Sequence, residues 1–197
     1  MITETESNKH WNYFISLERD FENLARYVEP TTQNFHTFSI EIARLLLAAS
    51  SEVDVISKRI CKTITGNNRA SSIDKYREII KPRFPFIEEV RIFIPRYGLE
   101  LNPWHNWKTD DTPNWWIAHN KVKHQRDDHF QKANMENALN AVSGLFVFEL
   151  IYYGSIDPEI RLSPIPTFLE APPRLATMGH TLNGKTIVSF HESDWTH

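Results

Sequence analysis

Residues 103–134 read PWHNWKTDDTPNWWIAHNKVKHQRDDHFQKAN. This stretch holds four of the six tryptophans (Trp104, Trp107, Trp115, Trp116) and four of the nine histidines (His105, His119, His124, His129), together with Lys121, Lys123 and Arg126. Pro113 after Asp111 and Thr112 predicts a helix start, with Asp111 or Thr112 as the cap and proline in the first turn. At helical spacing Trp115, His119, Val122 and Arg126 share one stripe, and Trp116, Asn120 and Lys123 the next. A kink is expected near Asp127 and Asp128. A further helix should start between Lys132 and Asn134 and run to Tyr153 on Met135, Leu139, Val142, Leu145, Phe146, Phe148, Leu150 and Ile151, with Gly154 as its stop. The preceding segment, Gly98 to Asp111, reads as a long loop packed down by Trp104 and Trp107.

Working back toward the N-terminus, Trp11, Phe14, Leu17, Phe21, Leu24 and Val28 recur at spacings of three and four. They predict a first helix over 7–28, ended by Pro30. A second helix is expected over 37–65. Ile40, Ala43, Leu46 and Leu47 open its apolar face, Val53, Ile56 and Ile60 continue it, and Gly66 stops it. Residues 45–49 are apolar nearly all round, which makes this helix central. Glu41 and Asp54 stand at pairing distance along the helix from Arg44 and Lys58. Ser71 and Asp74 resemble a capping box for a short third helix over 71–80, broken by Pro82 and Pro85. Residues 84–97 can continue as helix to about Phe93 or run extended to Pro95, and helix is the favoured reading.

Toward the C-terminus the composition changes after Gly154. Pro158, Pro164, Pro166, Pro172 and Pro173 fall close together and predict an extended arm. Asn183-Gly184 between β-type residues is a short hairpin signal. The expected fold is therefore mainly α: a bundle of four to six helices over 1–154, with a long Trp-rich loop, and an appendage of proline-rich arm and β-hairpin over 155–197.

Composition narrows the class. Apolar content of 41% and a net charge of −3 over 197 residues suit one globular domain. A single cysteine, Cys61, excludes an internal disulfide framework and a thiolate zinc cluster, and fits a reducing, cytoplasmic setting. The polar N-terminus is not a signal peptide, and the apolar run 141–153 is too short and polar for a bilayer span, so no membrane partner is expected. Eight cations (Lys58, Arg59, Lys62, Arg69, Lys75, Arg77, Lys81, Arg83) stand against Asp74 and Glu78, which marks either a solvated face or a polyanion contact.

Elimination leaves one constellation. His119, His124 and His129 are five apart, which does not put three ligands on one helical face, so no metal or other cofactor is expected. There is no Gly-x-Ser-x-Gly elbow and no phosphate-cradling glycine loop. What remains is the patch Asn120 to His129. Imidazoles beside fixed cations suit metal-independent phosphodiester cleavage: one imidazole takes the ribose 2′-hydroxyl proton, and arginine or lysine stabilises charge on the phosphoryl oxygens. Trp115 and Trp116 could stack on bases. The candidate catalytic residues are His124, Arg126 and His129, and the candidate ligand-binding residues are Trp115, Trp116, Asn120, Lys121 and Lys123. The competing reading is structural: His124 and Arg126 pin the Gly98–Asp111 loop, Trp115 and Trp116 anchor it, and the chain is a non-catalytic helical module binding a protein or small ligand.

The polar Asn120, Lys123, His124, Arg126 motif, leading into a long apolar helix, resembles the HEPN superfamily of helical bundles found in bacterial toxins, phage-defence proteins and RNA-cleaving effectors. The Trp115-Trp116 to Arg126 segment also resembles a group of uncharacterised bacterial proteins. The likeness covers residues 10–153 in architecture and 115–134 in motif. It implies RNA as partner and a homodimer with facing motifs, and it leaves the 155–197 arm for a protein partner. RNA-cutting members carry an arginine followed four to six residues later by histidine. Here Arg126 precedes His129 by three, His124 precedes Arg126, and neutral Asn120 stands four before His124. Asparagine cannot supply arginine's fixed charge, so the resemblance admits an RNA-binding and an RNA-cleaving form.

Overall fold

The computed structural model describes residues 8–157, 160–180 and 186–189. The fold is mainly α: helices α1 (Lys9–Leu24), α2 (Ile40–Thr65), α3 (Ile73–Arg83), α4 (Asn114–His124), α5 (Arg126–His129) and α6 (Met135–Ile156). Strands β1 (Ile92–Ile94) and β2 (Leu99–Leu101) form one small antiparallel pair, β3 (Thr177–His180) and β4 (Thr186–Ser189) another. The strands flanking the expected hairpin therefore pair, while its Asn183-Gly184 turn lies outside the described residues. So do Ser7, the expected start of the first helix, and Pro158.

The core is built around α6. Sixteen of its 22 residues are buried, as expected of a helix apolar on every face. Among the described residues α6 alone is long and apolar enough to cross a membrane, and 78% of its apolar window is buried within the fold. It starts at Met135, as expected after Asn134, but passes through Gly154 to Ile156 without stopping there. The α2 and α6 helices start together and run alongside each other. The N–H of Met135 donates to Thr37 O (2.9 Å) and that of Glu136 to Phe35 O (3.1 Å). These bonds satisfy two of the donors every helix N-terminus leaves open. Ser39 caps α2 and Asn134 caps α6. The α1 helix runs the opposite way, stacking Phe14 on Phe146 at 4.9 Å. Gly66 takes the left-handed conformation expected at the end of α2.

Several local expectations change. Ile40 is 76% exposed instead of lying on the core face, which in that turn is supplied by the buried Ile42 and Ala43. Ser72, not Ser71, caps α3, and Pro82 is accommodated in its last turn. Residues 85–89 form a 3-10 helix, and residues 92–94 are extended, not helical. Their two neighbours explain this: β2 pairs on one side, and Phe93 exchanges backbone hydrogen bonds with Glu170 of the arm on the other. Tertiary partners decide such short apolar runs. The expected Gly98–Asp111 loop thus contains β2 and a 3-10 helix over His105–Thr109.

The arm lies on the helical body. Glu18 of α1 is buried, and its Oε1 accepts N–H bonds from Thr167 (2.7 Å), Phe168 (2.5 Å) and Leu169 (3.0 Å). Trp11 donates its indole N–H to Pro164 O at 2.9 Å. Phe168 packs against Phe21 and Tyr97. Burial raises the Glu18 pKa, opposed by the N–H groups of Phe168, Leu169 and Thr167. A second buried carboxyl contrasts with it. Glu149 of α6 is fully buried and neither oxygen has a hydrogen-bond partner among the described residues. Burial, aided by the nearby Glu52 carboxylate, pushes its pKa well up, which disfavours its charged form. Cys61 is buried too, and burial raises its thiol to about 11, which suits packing, not nucleophilic attack.

Candidate functional site

The Trp-rich half of residues 103–134 is core. Trp104 stacks on Phe148 at 4.1 Å and lies 4.5 Å from Trp107 and 5.2 Å from Trp115. Trp104 Nε1 donates to Gly144 O (3.2 Å) and Trp115 Nε1 to Pro103 O (2.8 Å). Gly144 permits this closeness: a Cβ there would stand 3.1 Å from the Trp115 ring. Trp115 and Trp116 are 2% and 7% exposed. The expectation that they offer ring faces to a ligand is corrected, since both faces are taken by packing. The same finding removes the Trp-lined loop pocket of the competing reading.

The loop is held by other residues than expected. Lys81 Nζ donates to Trp107 O and pairs with Glu88 (3.0 Å) and Asp110 (3.1 Å). Asp110 takes a positive φ of 58° at the loop's end. His124 and Arg126 make no hydrogen bond to this loop among the described residues. Much of the basic run is also spent internally. Lys58 pairs with Asp54 (2.5 Å), Lys75 with Glu78 (2.6 Å) and Arg77 with Asp74 (3.0 Å). Of the eight cations over 58–83, Lys58, Lys75, Arg77 and Lys81 are thus paired with carboxylates, which leaves the run less free charge than its sequence suggests.

The second half of the stretch is surface. The α4 helix starts at Asn114 after Pro113, without the side-chain cap expected from Asp111 or Thr112. It ends at His124, where Gln125 leaves helical geometry at φ −141°. This break comes earlier than the expected kink at Asp127-Asp128. It takes Arg126 off the buried stripe of Trp115, His119 and Val122. A four-residue α5 and a 3-10 turn over Phe130–Lys132 then lead to Asn134. Asn120, Lys123, His124 and Arg126 are exposed, while Lys121 and His129 are half-buried. No hydrogen bond or ion pair joins His124, Arg126 and His129 to one another among the described residues.

His119 marks the boundary between the halves. It is 6% exposed, and its Nδ1 has no partner among the described residues. Burial lowers its pKa to about 4, helped by Lys123 and His124 and opposed by Asp54. It is a neutral core imidazole. No group of three or more possible metal ligands occurs among the described residues.

A cleft of about 530 Å³ opens between the start of α2 and the hinge. Ile40, Ala43, Arg44 and Leu47 line one side, Arg126, Asp127 and Phe130 the other. Phe38, 48% exposed, meets Phe130 edge-on at 5.6 Å. Arg44 is committed to Asp20 (3.0 Å) and Glu41 (2.8 Å). Arg126 and Asp127 have no ion pair among the described residues. Of the three candidate catalytic residues only Arg126 lines this cleft; His124 and His129 lie on the hinge outside it. The α2 residues of the cleft were missed because their spacing resembles an ordinary core stripe. Only the position of Ile40 in the first turn could have suggested exposure.

Compared with protein-family models, curated proteins and solved structures, the chain matches none.

Proposed function

We propose that this is a HEPN-like RNA-binding protein whose contact surface is the hinge 120–129, with metal-independent RNA cleavage as its active form. One observation carries the reading. Lys123, His124 and Arg126 are exposed around a helix break and have no hydrogen-bond or ion-pair partner among the described residues. Unpaired cations on a short irregular segment are free to meet phosphate, whereas those of α3 are held by their own carboxylates. Arg126 takes the phosphate oxygens bidentately, Lys121 and Lys123 extend the contact, and His124 or His129 moves the 2′-hydroxyl proton. The same resemblance carries a homodimer that presents two hinges to one strand, in a toxin or phage-defence setting.

The test is binding and cleavage of single-stranded RNA in EDTA by the wild type, His124→Ala and Arg126→Ala. The expected affinity falls steeply with salt, and each variant loses on the order of tenfold. Cleavage lost in both variants, with folding intact, places a ribonuclease at the hinge. A wild type that neither binds nor cuts RNA overturns the reading.

A further inference from the structure

The cleft beside the hinge has the attributes of a site for a flat, partly apolar ligand. Its volume of about 530 Å³ is in the range of small-molecule pockets. Its walls are the apolar side chains of Ile40, Ala43 and Leu47 and the ring of Phe130. Ile40, at 76% exposed, and Phe38, at 48%, leave apolar surface in water beside the cleft. The polar groups at its rim differ in availability. Arg44 already faces two carboxylates, but Arg126 and Asp127 have no ion pair among the described residues. One uncommitted cation and one uncommitted acceptor thus stand side by side at the mouth of an apolar slot.

We infer that the cleft seats an unpaired guanine base of a single-stranded RNA, with Asp127 reading its Watson–Crick edge while Arg126 holds the adjoining phosphate. This rests on the RNA reading of the hinge and adds a base preference to it. The chemistry selects the base. A carboxylate only accepts hydrogen bonds. Guanine presents two adjacent donors, N1–H and the N2 amino group, matched to two carboxylate oxygens. Adenine and cytosine offer one amino group each on that edge, and uracil one N–H. Single strands are read through such exposed edges, with the base face held by aromatic or apolar side chains. Phe130 and Ile40 supply those faces. The buried tryptophans supply none, which is why the base goes to the cleft and not to Trp115 and Trp116.

The experiment compares short oligouridines that carry one internal guanosine, adenosine or cytidine, by fluorescence anisotropy, on the full chain. Guanosine is expected to strengthen binding on the order of tenfold over the others, within what a bidentate pair supplies. Asp127→Asn, at an exposed position, should bring the guanosine oligonucleotide to the affinity of the others; a guanosine preference that survives it overturns Asp127 as the reader of the base. Equal affinity for all oligonucleotides by the wild type overturns the base assignment and leaves the RNA reading standing. No binding by any of them overturns both. Self-association lost in Ile40→Asp, with no base preference, overturns the inference in favour of a second copy covering the cleft.

Discussion

The two halves of residues 103–134 are adjacent in sequence and end in opposite environments. In the first, Trp104, Trp107, Trp115 and Trp116 close around Gly144 and Phe148. In the second, Lys123, His124 and Arg126 stand in water beyond the break at Gln125. Aromatics and cations that alternate along the chain are separated by helix geometry. On α4 Trp115 packs against Gly144 of α6 and Trp116 is buried beside it, whereas Lys123 and His124 are exposed. Proximity in sequence therefore does not make a composite aromatic-cationic site. The first half is packed into the core, and the second half leaves a cleft at its surface.

The contrast can be broken by substitution. Trp104→Ala should be the most damaging change. It empties a fully buried site stacked on Phe148, and a loss of about 3–5 kcal/mol is expected from chemical denaturation. A loss below about 1 kcal/mol would mean that the aromatic junction does not hold the loop.

His119, between the halves, should make the fold acid-sensitive. Its folded pKa of about 4 lies below the ordinary histidine value of 6.5. The unfolded chain therefore takes a proton that the folded chain refuses. Its full contribution is present above about pH 6.5 and is lost as pH falls toward 4, by at most about 3 kcal/mol. His119→Phe should flatten that part of the Tm–pH curve. It leaves no hydrogen-bond partner stranded, since Nδ1 has none among the described residues. An unchanged acid limb would place the charge sensitivity elsewhere.

Arg126→Ala should do least to the fold. An exposed, unpaired side chain contributes within about 0.5 kcal/mol. A Tm equal to wild type, beside weakened RNA binding, would sharpen the division between the halves. A large loss of stability would show that the hinge is structural after all.

Much of the bundle was legible because its signals are local and periodic. The α1 stripe of Trp11, Phe14, Leu17 and Phe21 is buried as its spacing predicts, and Gly66 stops α2 through its own backbone freedom. Residues 92–94 were not legible, because three apolar residues carry no period and their strand exists only through β2 and Glu170. Glu18 carries no local signal for burial, and only the arm's three N–H groups, about 150 residues away in sequence, give its carboxylate a reason to be buried. The hinge was visible as a cluster of residue types, but not its division into Arg126 within the cleft and His124 and His129 outside it.

Side-chain periodicity and backbone preference settle the helical class, the place of the main helices in the chain and the apolar faces that must meet. Tertiary structure decided which of the conspicuous residues remain available. Packing against α6 consumed the tryptophans, internal pairing engaged part of the 58–83 run, and the break at Gln125 left Arg126 and Asp127 uncommitted beside Ile40. Burial and pairing depend on groups far apart in the chain, and no local pattern encodes them.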